Sequence, residues 1–156
     1  LPFSVNPDNI GGSKIISSDC KTSDSNGLFI RVKRADNIDT LLKENISLIK
    51  IDVEGHEISS LKGAEKIIVK NKPVILFEQG SEEIVNKTSE VIEYLSGYNY
   101  SFYTMTERFY YGEGFIYRLI GAFLSSIFGE QLSFIKTTTF KKRFYDMILA
   151  VPKKSN

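Results

Sequence analysis

Two carboxylates in this sequence each follow a short apolar run. Asp52 comes after residues 48–51, and Glu78 comes after residues 74–77. A carboxylate can orient a reacting hydroxyl and accept its proton, so both groups are candidates for acid–base chemistry. In open α/β sheets, ligands bind outside the carboxyl ends of the strands. If both runs are strands of such a sheet, the two carboxylates mark a candidate site.

The residues between the two runs predict a helix. Apolar side chains recur there at helical spacing, and lysines take the opposite side. The apolar members are Ile58, Leu61, Ala64 and Ile68, and the lysines are Lys62, Lys66 and Lys70. We expect the helix to stop at residues 71–73, because the residue before a proline disfavours the α region. Strand, helix and strand then form a right-handed βαβ unit with parallel strands buried on both faces. Neighbouring strands lie about 4.8 Å apart, so the two carboxylates would emerge side by side.

Five residues beside the first carboxylate complete the candidate site. Gly55 permits the turn that leads to the helix, and His56, the only histidine, is an alternative base. Glu54 and Glu57 lie near the helix start, where the helix dipole favours negative charge. Structural and catalytic roles both stay open for them. Lys50 interrupts the apolar run and is a candidate partner for the second carboxylate.

A metal site is a rival interpretation of the same carboxylates. Asp52, Glu54, Glu57 and Glu78 offer the oxygen ligands that magnesium prefers. This would make the protein a metal-dependent hydrolase. Their spacing matches no known ligand signature, so the residues predict no specific metal.

Composition sets further bounds. The 156 residues suffice for one domain, and a net charge of +1 gives no reason to expect nucleic acid as a partner. Cys20 is the only cysteine, which excludes an intramolecular disulfide. No secretory leader is visible, and we expect a cytoplasmic location. The chain begins with Leu1 rather than Met, which suggests processing, excision or an incomplete gene product.

Other stretches predict the remaining elements. Residues 1–26 carry turn signals and predict an irregular segment. Asp36 or Asn37 can cap a short helix that runs through Leu42. Periodicity and end signals predict the rest: strands over residues 28–33, 98–103 and 144–151, and a helix over residues 82–95.

An apolar insertion at about residues 109–136 differs from the rest of the chain. It is rich in aromatics, and its uninterrupted apolar part is shorter than the roughly 20 residues that span a bilayer. It predicts a helix packed on the domain or a contact between subunits of a homo-oligomer. One alternative is a peripheral membrane contact through residues 115–135. Another is a lid over an apolar substrate. The basic run at residues 141–143 predicts a solvated turn, with a patch for phosphate or lipid headgroups as the alternative.

Several motifs carry a resemblance to a known family. The run from Leu48 to Glu57 is followed by Leu61-Lys62-Gly63-Ala64 and then by Pro-Val-Ile-Leu-Phe-Glu at residues 73–78. This series resembles the FkbM family of S-adenosylmethionine-dependent methyltransferases. Arg34-Ala35-Asp36 resembles the Arg-Leu-Asp of the family, and residues 9–13 loosely resemble its Gly-Ser loop. The resemblance covers roughly residues 9–77 and the last strand.

The resemblance implies a fold class and an activity. The fold would be α/β, with a Rossmann-like class I methyltransferase sheet that is mostly parallel. The run at residues 48–51 would be the fourth strand of that sheet. The last strand, residues 144–151, would insert antiparallel between its neighbours. The activity would be O-methylation of a hydroxyl on a sugar or secondary metabolite, so the partner would be a small-molecule or glycan acceptor.

The chain departs from the family in the cofactor region. No D-x-G-x-x-x-G-like loop follows an apolar strand, and the first three strands of the expected sheet are missing. The strand at residues 48–51 would therefore lie at an exposed edge. We expect this chain alone to bind S-adenosylmethionine weakly or not at all. A third class follows as an alternative, a non-catalytic remnant that uses its insertion to bind a protein or membrane.

Overall fold

The structure, a computed structural model, describes residues 1, 3–5, 14–15, 28–106, 116, 119–120, 123 and 133–153. The chain divides into two compact units. The first comprises Leu1–Ser47 and Ile51–Lys72, and the second comprises Leu48–Lys50 and Pro73–Asn156. That the whole chain forms one domain stays a prediction.

The described residues of the first unit contain three short α-helices and a small sheet. The sheet pairs β1 with β2 in antiparallel fashion, and the backbone amide of Phe3 also donates to the carbonyl oxygen of Leu28. The elements are β1 (Phe3–Ser4), β2 (Lys14–Ile15), α1 (Asp39–Lys43), α2 (Glu57–Gly63) and α3 (Glu65–Asn71). Residues 9–13, which loosely resemble the Gly-Ser loop, lie outside the described residues.

The predicted strand at residues 28–33 is wrong. Only Phe29 has a β-bridge there. Phe29 is 72% exposed and Val32 is 55% exposed, so these two apolar side chains meet no core. A strand that buries neither face gains little stabilisation from its side chains.

The single helix predicted between the two apolar runs is in fact two helices. α2 ends at Gly63 and α3 begins at Glu65, with Ala64 between them at φ −118° and ψ 20°. The Asp36 carboxylate accepts hydrogen bonds from the backbone amides of Lys66 (3.0 Å) and Ile67 (3.3 Å). These amides belong to the first turn of α3, which has no intrahelical partners for them. A carboxylate about 30 residues away in sequence therefore stabilises the second helix start.

The turn that carries this carboxylate holds both sides of the helix break. It is a single 3-10 turn, Ala35–Asn37. Beside it, an Nη atom of Arg34 donates to the carbonyl oxygen of Lys62 near the end of α2, at 2.5 Å. The prediction that Asp36 or Asn37 caps the short helix α1 is wrong, because that helix has Ile38 at its N-cap and no side-chain cap. The predicted stop of α3 is confirmed, since Lys72 is left-handed (φ 48°).

Apart from Ile51 at the end of its first strand, a five-stranded open sheet lies in the second unit. The strands are β3 (Leu48–Ile51), β4 (Val74–Gln79), β5 (Tyr100–Thr106), β6 (Ser133–Thr137) and β7 (Tyr145–Pro152). Their order is β3-β4-β7-β5-β6. β7 is antiparallel to both β4 and β5, so the predicted insertion of the last strand between its neighbours is confirmed. β6, which pairs antiparallel with β5, was not predicted and lies at the end of the apolar insertion. The α/β class is confirmed, but a mostly parallel sheet is not, because the described pairings among β4, β5, β6 and β7 are all antiparallel.

β3 lies at an edge of the described sheet, as expected from the sequence. The prediction that this strand is buried on both faces is wrong. Leu48 is 56% exposed, Lys50 is exposed and only Ile51 is buried. An edge strand lacks one neighbour, so part of its surface meets water.

The core of the second unit lies between the sheet and α4 (Glu90–Gly97). Ile75 and Phe77 of β4, Leu95 of α4 and Ile148 of β7 are almost fully buried. The helix begins eight residues later than the predicted start at residue 82. The intervening residues form the 3-10 turn Ser81–Glu83 and a tight hairpin that joins Val85 to Thr88. Its two central residues, Asn86 and Lys87, have φ values of 53° and 66°, which no helix accommodates.

Candidate functional site

The turn after β3 carries most of the predicted site residues. The strand ends at Ile51, and Asp52 and Glu54 follow with exposed side chains. The backbone amide of His56 donates to the carbonyl oxygen of Val53 at 3.3 Å, which closes the turn. The two carboxylates therefore stand at the carboxyl end of the strand, in contact with solvent.

Gly55 is required by the backbone of this turn. Its φ is +86°, and no atom lies within 4 Å of the place where a Cβ would be. Side chains avoid this conformation because of the local clash of the Cβ with the backbone, whereas glycine adopts it freely. The glycine therefore serves the turn conformation rather than close packing.

Glu57 is a structural residue of the turn. It is 4% exposed, and its Oε1 atom accepts a hydrogen bond from the backbone amide of Gly55 at 3.2 Å. A buried carboxylate needs such a partner to offset its desolvation. Among the predicted site residues, Glu57 therefore stabilises the turn through this hydrogen bond.

His56 is half-buried and connects the turn to β2. Its Nε2 atom lies 3.3 Å from the carbonyl oxygen of Ile15. A carbonyl oxygen can only accept, so Nε2 carries the proton of this hydrogen bond. In the neutral ring only Nδ1 is then left as a base, which narrows how His56 could take part in proton transfer.

Lys50 and Glu78 lie on two strands of the second unit. Lys50 is exposed on β3, and Glu78 is half-buried on β4. Along β4 the buried side chains are Ile75, Phe77 and Gln79, so Glu78 faces the other side of the strand. That Glu78 pairs with Lys50, or shares a site with the carboxylate after β3, stays a prediction.

The buried end of β4 holds a polar network that sequence reasoning missed. Gln79 is 1% exposed, and its side-chain oxygen accepts from the Ser89 hydroxyl at 2.5 Å. Its amide nitrogen donates to Glu83, whose carboxylate also accepts from the Gly80 backbone amide at 3.0 Å. Ser89 in turn accepts from the Ile92 amide as the N-cap of α4. The sequence signal that could have revealed the network is Gln79 itself, a polar residue at a position of β4 where the alternation predicts a buried side chain.

The described residues offer no metal centre. Among them, no three or more His, Cys, Asp or Glu side chains are grouped so that they could hold a metal ion. The hydrolase interpretation therefore gains no support from the structure.

An open mixed α/β sheet with carboxylates beyond a strand end is consistent with the α/β methyltransferases as a class. The family model for the methyltransferase FkbM domain matches residues 3–102, more than half of the 156 residues. The chain belongs to this family, and the resemblance inferred from the motifs is confirmed. Comparison with curated proteins gives no match, and neither does comparison with solved structures.

Methyltransferases commonly use S-adenosylmethionine, whose phosphate-free but polar cofactor groups are often held by open backbone amides of glycine turns. Two glycines follow strands among the described residues, Gly55 after β3 and Gly80 after β4. Both backbone amides are already occupied, by the carboxylates of Glu57 and Glu83. Within the described part of the chain, these turns do not fit a cradle of open backbone amides for the cofactor.

The structure also bears on the apolar insertion. Of its residues, Ile116, Leu119, Ile120, Phe123 and residues 133–136 are described. No helix in the described ranges is both long enough and apolar enough to cross a bilayer. The cellular compartment stays a prediction.

Proposed function

We propose that this chain carries the acceptor side of an S-adenosylmethionine-dependent O-methyltransferase. Its substrate class would be a hydroxyl of a sugar or another small molecule. Membership of the FkbM family supports methyl transfer as the reaction class. Oxygen as the methylated atom is the part that this proposal adds.

The observation that carries the proposal is the contrast among the acidic side chains of the first unit. Asp36 and Glu57 are buried, and backbone amides bind their carboxylates. Asp52 is exposed at the carboxyl end of a strand, where ligands of α/β sheets bind. Methylation of a hydroxyl releases a proton, and we assign Asp52 to orient the hydroxyl and accept that proton.

Two further residues have supporting roles in the proposal. Glu78 would contact the acceptor from the half-buried face of β4. His56 is the alternative base, through Nδ1. The cofactor itself would be held by residues other than those of the two glycine turns.

The central test is Asp52→Asn in the full gene product, with transfer of a labelled methyl group to hydroxyl-bearing saccharides and small molecules as the readout. Loss of a general base costs about 10²–10⁴ in rate, so kcat should fall by that factor while the KM for the acceptor changes little. Asp39→Asn makes the same chemical change at an exposed position of α1 and should leave kcat unchanged. Equal activity of Asp52→Asn and wild type would contradict the assignment.

A second variant separates the two candidate bases. His56→Gln keeps an N–H donor for the Ile15 carbonyl oxygen and removes the basic nitrogen. We expect activity to persist in this variant. A loss as large as that expected for Asp52→Asn would transfer the role of base to His56.

Cofactor binding gives an independent test. Calorimetry on residues 1–156 should show no micromolar binding of S-adenosylmethionine. Micromolar binding by this chain would contradict the expectation that its cofactor site is incomplete.

A further inference from the structure

Four described residues of the apolar insertion form an exposed apolar stripe. Ile116, Leu119, Ile120 and Phe123 each have helical backbone conformation, and their spacing of three, one and three in the sequence is typical of one side of an amphipathic helix. Their exposed fractions are 68%, 55%, 43% and 65%. Singly exposed apolar residues are common on proteins, but a group of four at helical spacing is typical of an interaction surface.

The sequence around the stripe is almost free of charge. Between Gly114 and Gly129 the only charged residue is Arg118, and no acidic residue occurs. A surface segment that faced only water would carry more charged residues. This composition favours contact with an apolar medium whose boundary tolerates cations.

The strands to which the insertion is attached carry more exposed apolar groups. Thr106 of β5 pairs with Ser133 of β6, so the insertion leaves and rejoins the sheet at one place. One residue further in, Met105 pairs with Phe134, which is 48% exposed. Met105 also lines a small cavity of about 100 Å³ together with Phe144, which is 56% exposed.

This part of the chain is basic. From Ser133 to Lys153 the chain has five basic residues and one acidic residue, although the net charge of the whole chain is only +1. The basic residues are Lys136, Lys141, Lys142, Arg143 and Lys153. Lys142 pairs with Glu82 at 3.0 Å, and the Arg143 guanidinium lies 4.6 Å from the ring centroid of Tyr145. All five are exposed, and Arg143 lines the same cavity as Met105. Lys153 lies at the opposite end of β5, where its backbone amide donates to the carbonyl oxygen of Asn99, so the cations nearest the insertion are the other four.

We propose that the apolar stripe, with Phe134, Phe144 and the exposed cations of this region, binds the surface of an anionic lipid bilayer. A helix that lies in the interface buries its apolar face among the acyl chains, while Lys and Arg meet the anionic headgroups. A protein partner fits less well, because protein interfaces are depleted of lysine. A second copy of this chain would bring two basic regions together, which like-charge repulsion opposes. The inference goes beyond the proposed methyl transfer and does not depend on it.

Vesicle binding of the full chain tests the proposal. Phosphatidylcholine vesicles that also contain phosphatidylserine should bind the chain more tightly than phosphatidylcholine alone, and added salt should weaken this binding. Replacing Lys141 and Arg143 by glutamine should weaken binding about fivefold for each removed charge. The matched control replaces Lys33 and Lys43, which are exposed in the first unit, and should bind as wild type does.

The apolar contribution has its own matched pair of variants. Leu119→Ser with Phe123→Ser should weaken vesicle binding about tenfold or more, because two buried apolar side chains are lost. Leu28→Ser with Phe29→Ser makes the same exchange at positions that are 45% and 72% exposed, and should have no effect. Equal weakening by both pairs would overturn the assignment of the stripe.

A spectroscopic probe reports insertion directly. The chain has no tryptophan, so Phe123→Trp introduces a single one with little change in shape. On addition of phosphatidylserine vesicles its emission should shift to the blue and be quenched by brominated lipid. Phe29→Trp should show neither effect. If the wild-type chain binds vesicles of neither composition, the proposal is overturned. This holds even if the chain instead forms a dimer through the stripe or binds another protein.

Discussion

Two acidic turns in the first unit differ in how far their carboxylates are buried. In the turn Ala35–Asn37, Asp36 is 4% exposed and both of its oxygens accept backbone amides at the start of α3. In the turn after β3, Asp52 is exposed beyond the strand end. Both belong to motifs that resemble the same family. The difference teaches that burial decides whether an acidic residue of a motif is assigned a structural or a catalytic role.

The comparison extends to the second unit. There Tyr100 is 2% exposed and its hydroxyl donates to the carbonyl oxygen of Pro73 at 2.9 Å. Glu82 and Lys142 form an ion pair in which both side chains are exposed. Buried polar groups with protein partners should affect stability, whereas exposed ones should not.

Removing the buried carboxylate should have the largest effect on folding. Asp36→Ala leaves the amides of Lys66 and Ile67 without their acceptor, so we expect the free energy of unfolding to fall by about 2–4 kcal/mol. Urea denaturation followed by circular dichroism measures this. Asp52→Asn should leave the same quantity within about 0.5 kcal/mol of wild type. Similar losses for both variants would break the comparison.

Alkaline pH tests the buried hydroxyl. Burial raises the pKa of Tyr100 to about 12 from an ordinary value of 10. The folded chain therefore keeps this proton over a range in which the unfolded chain loses it. Stability from this group is complete below about pH 10 and falls by about 2–3 kcal/mol as the pH approaches 12.

The control for the pH experiment is Tyr100→Phe. This variant loses the hydrogen bond to the carbonyl oxygen of Pro73 at every pH. Its unfolding free energy, measured by urea denaturation at several alkaline pH values, should lack this component of the decline. An equally steep decline in wild type and variant would exclude Tyr100 as its source.

Two glycines give a smaller, backbone-based test of the exposed turn. Gly55→Ala forces a side chain into φ +86° and should cost about 1–2 kcal/mol, although no atom lies within 4 Å of the new Cβ. Gly97→Ala also meets no atom within 4 Å but lies in α4. It should stabilise the chain by about 0.5–1 kcal/mol. Thermal denaturation of the two variants should therefore shift in opposite directions.

The exposed ion pair should show the smallest effect. Lys142 lowers the pKa of Glu82 through a hydrogen bond and its positive charge. Both side chains are largely in water, where such pairs contribute little to folding. We expect Glu82→Gln to leave the denaturation midpoint unresolved from wild type at neutral pH. A clear loss of stability would show that exposed side chains of this chain also contribute to the free energy of unfolding.

Sequence reasoning was most accurate where the signal was local. The strands at β4 and β7 follow continuous apolar runs, and the stop before Pro73 follows from proline sterics. The family followed from ordered motifs with fixed spacing. Predictions were wrong or missing where the conformation of a segment depends on the segments that pack or pair with it. β6 has the short alternation Ser133–Thr137 inside an otherwise apolar segment, and it is a strand because β5 pairs with it.

The helix break shows the same limit. Residues 57–71 have one continuous helical pattern, yet Ala64 interrupts it. The side chains that stabilise the two new ends, Arg34 and Asp36, lie about 30 residues upstream. These two residues lie outside the stretch of sequence from which the helix was predicted. The break could therefore not be predicted from periodicity.

The sequence by itself determined the family, the α/β class and the position of Asp52 immediately after an apolar run, because these follow from residue order and short-range sterics. Only the tertiary structure decided which acidic residues are buried. It bound Asp36 and Glu57 to backbone amides and left Asp52 exposed. The physical reason is that burial and hydrogen-bond partners depend on segments distant in the chain, and no local pattern of residue types specifies them.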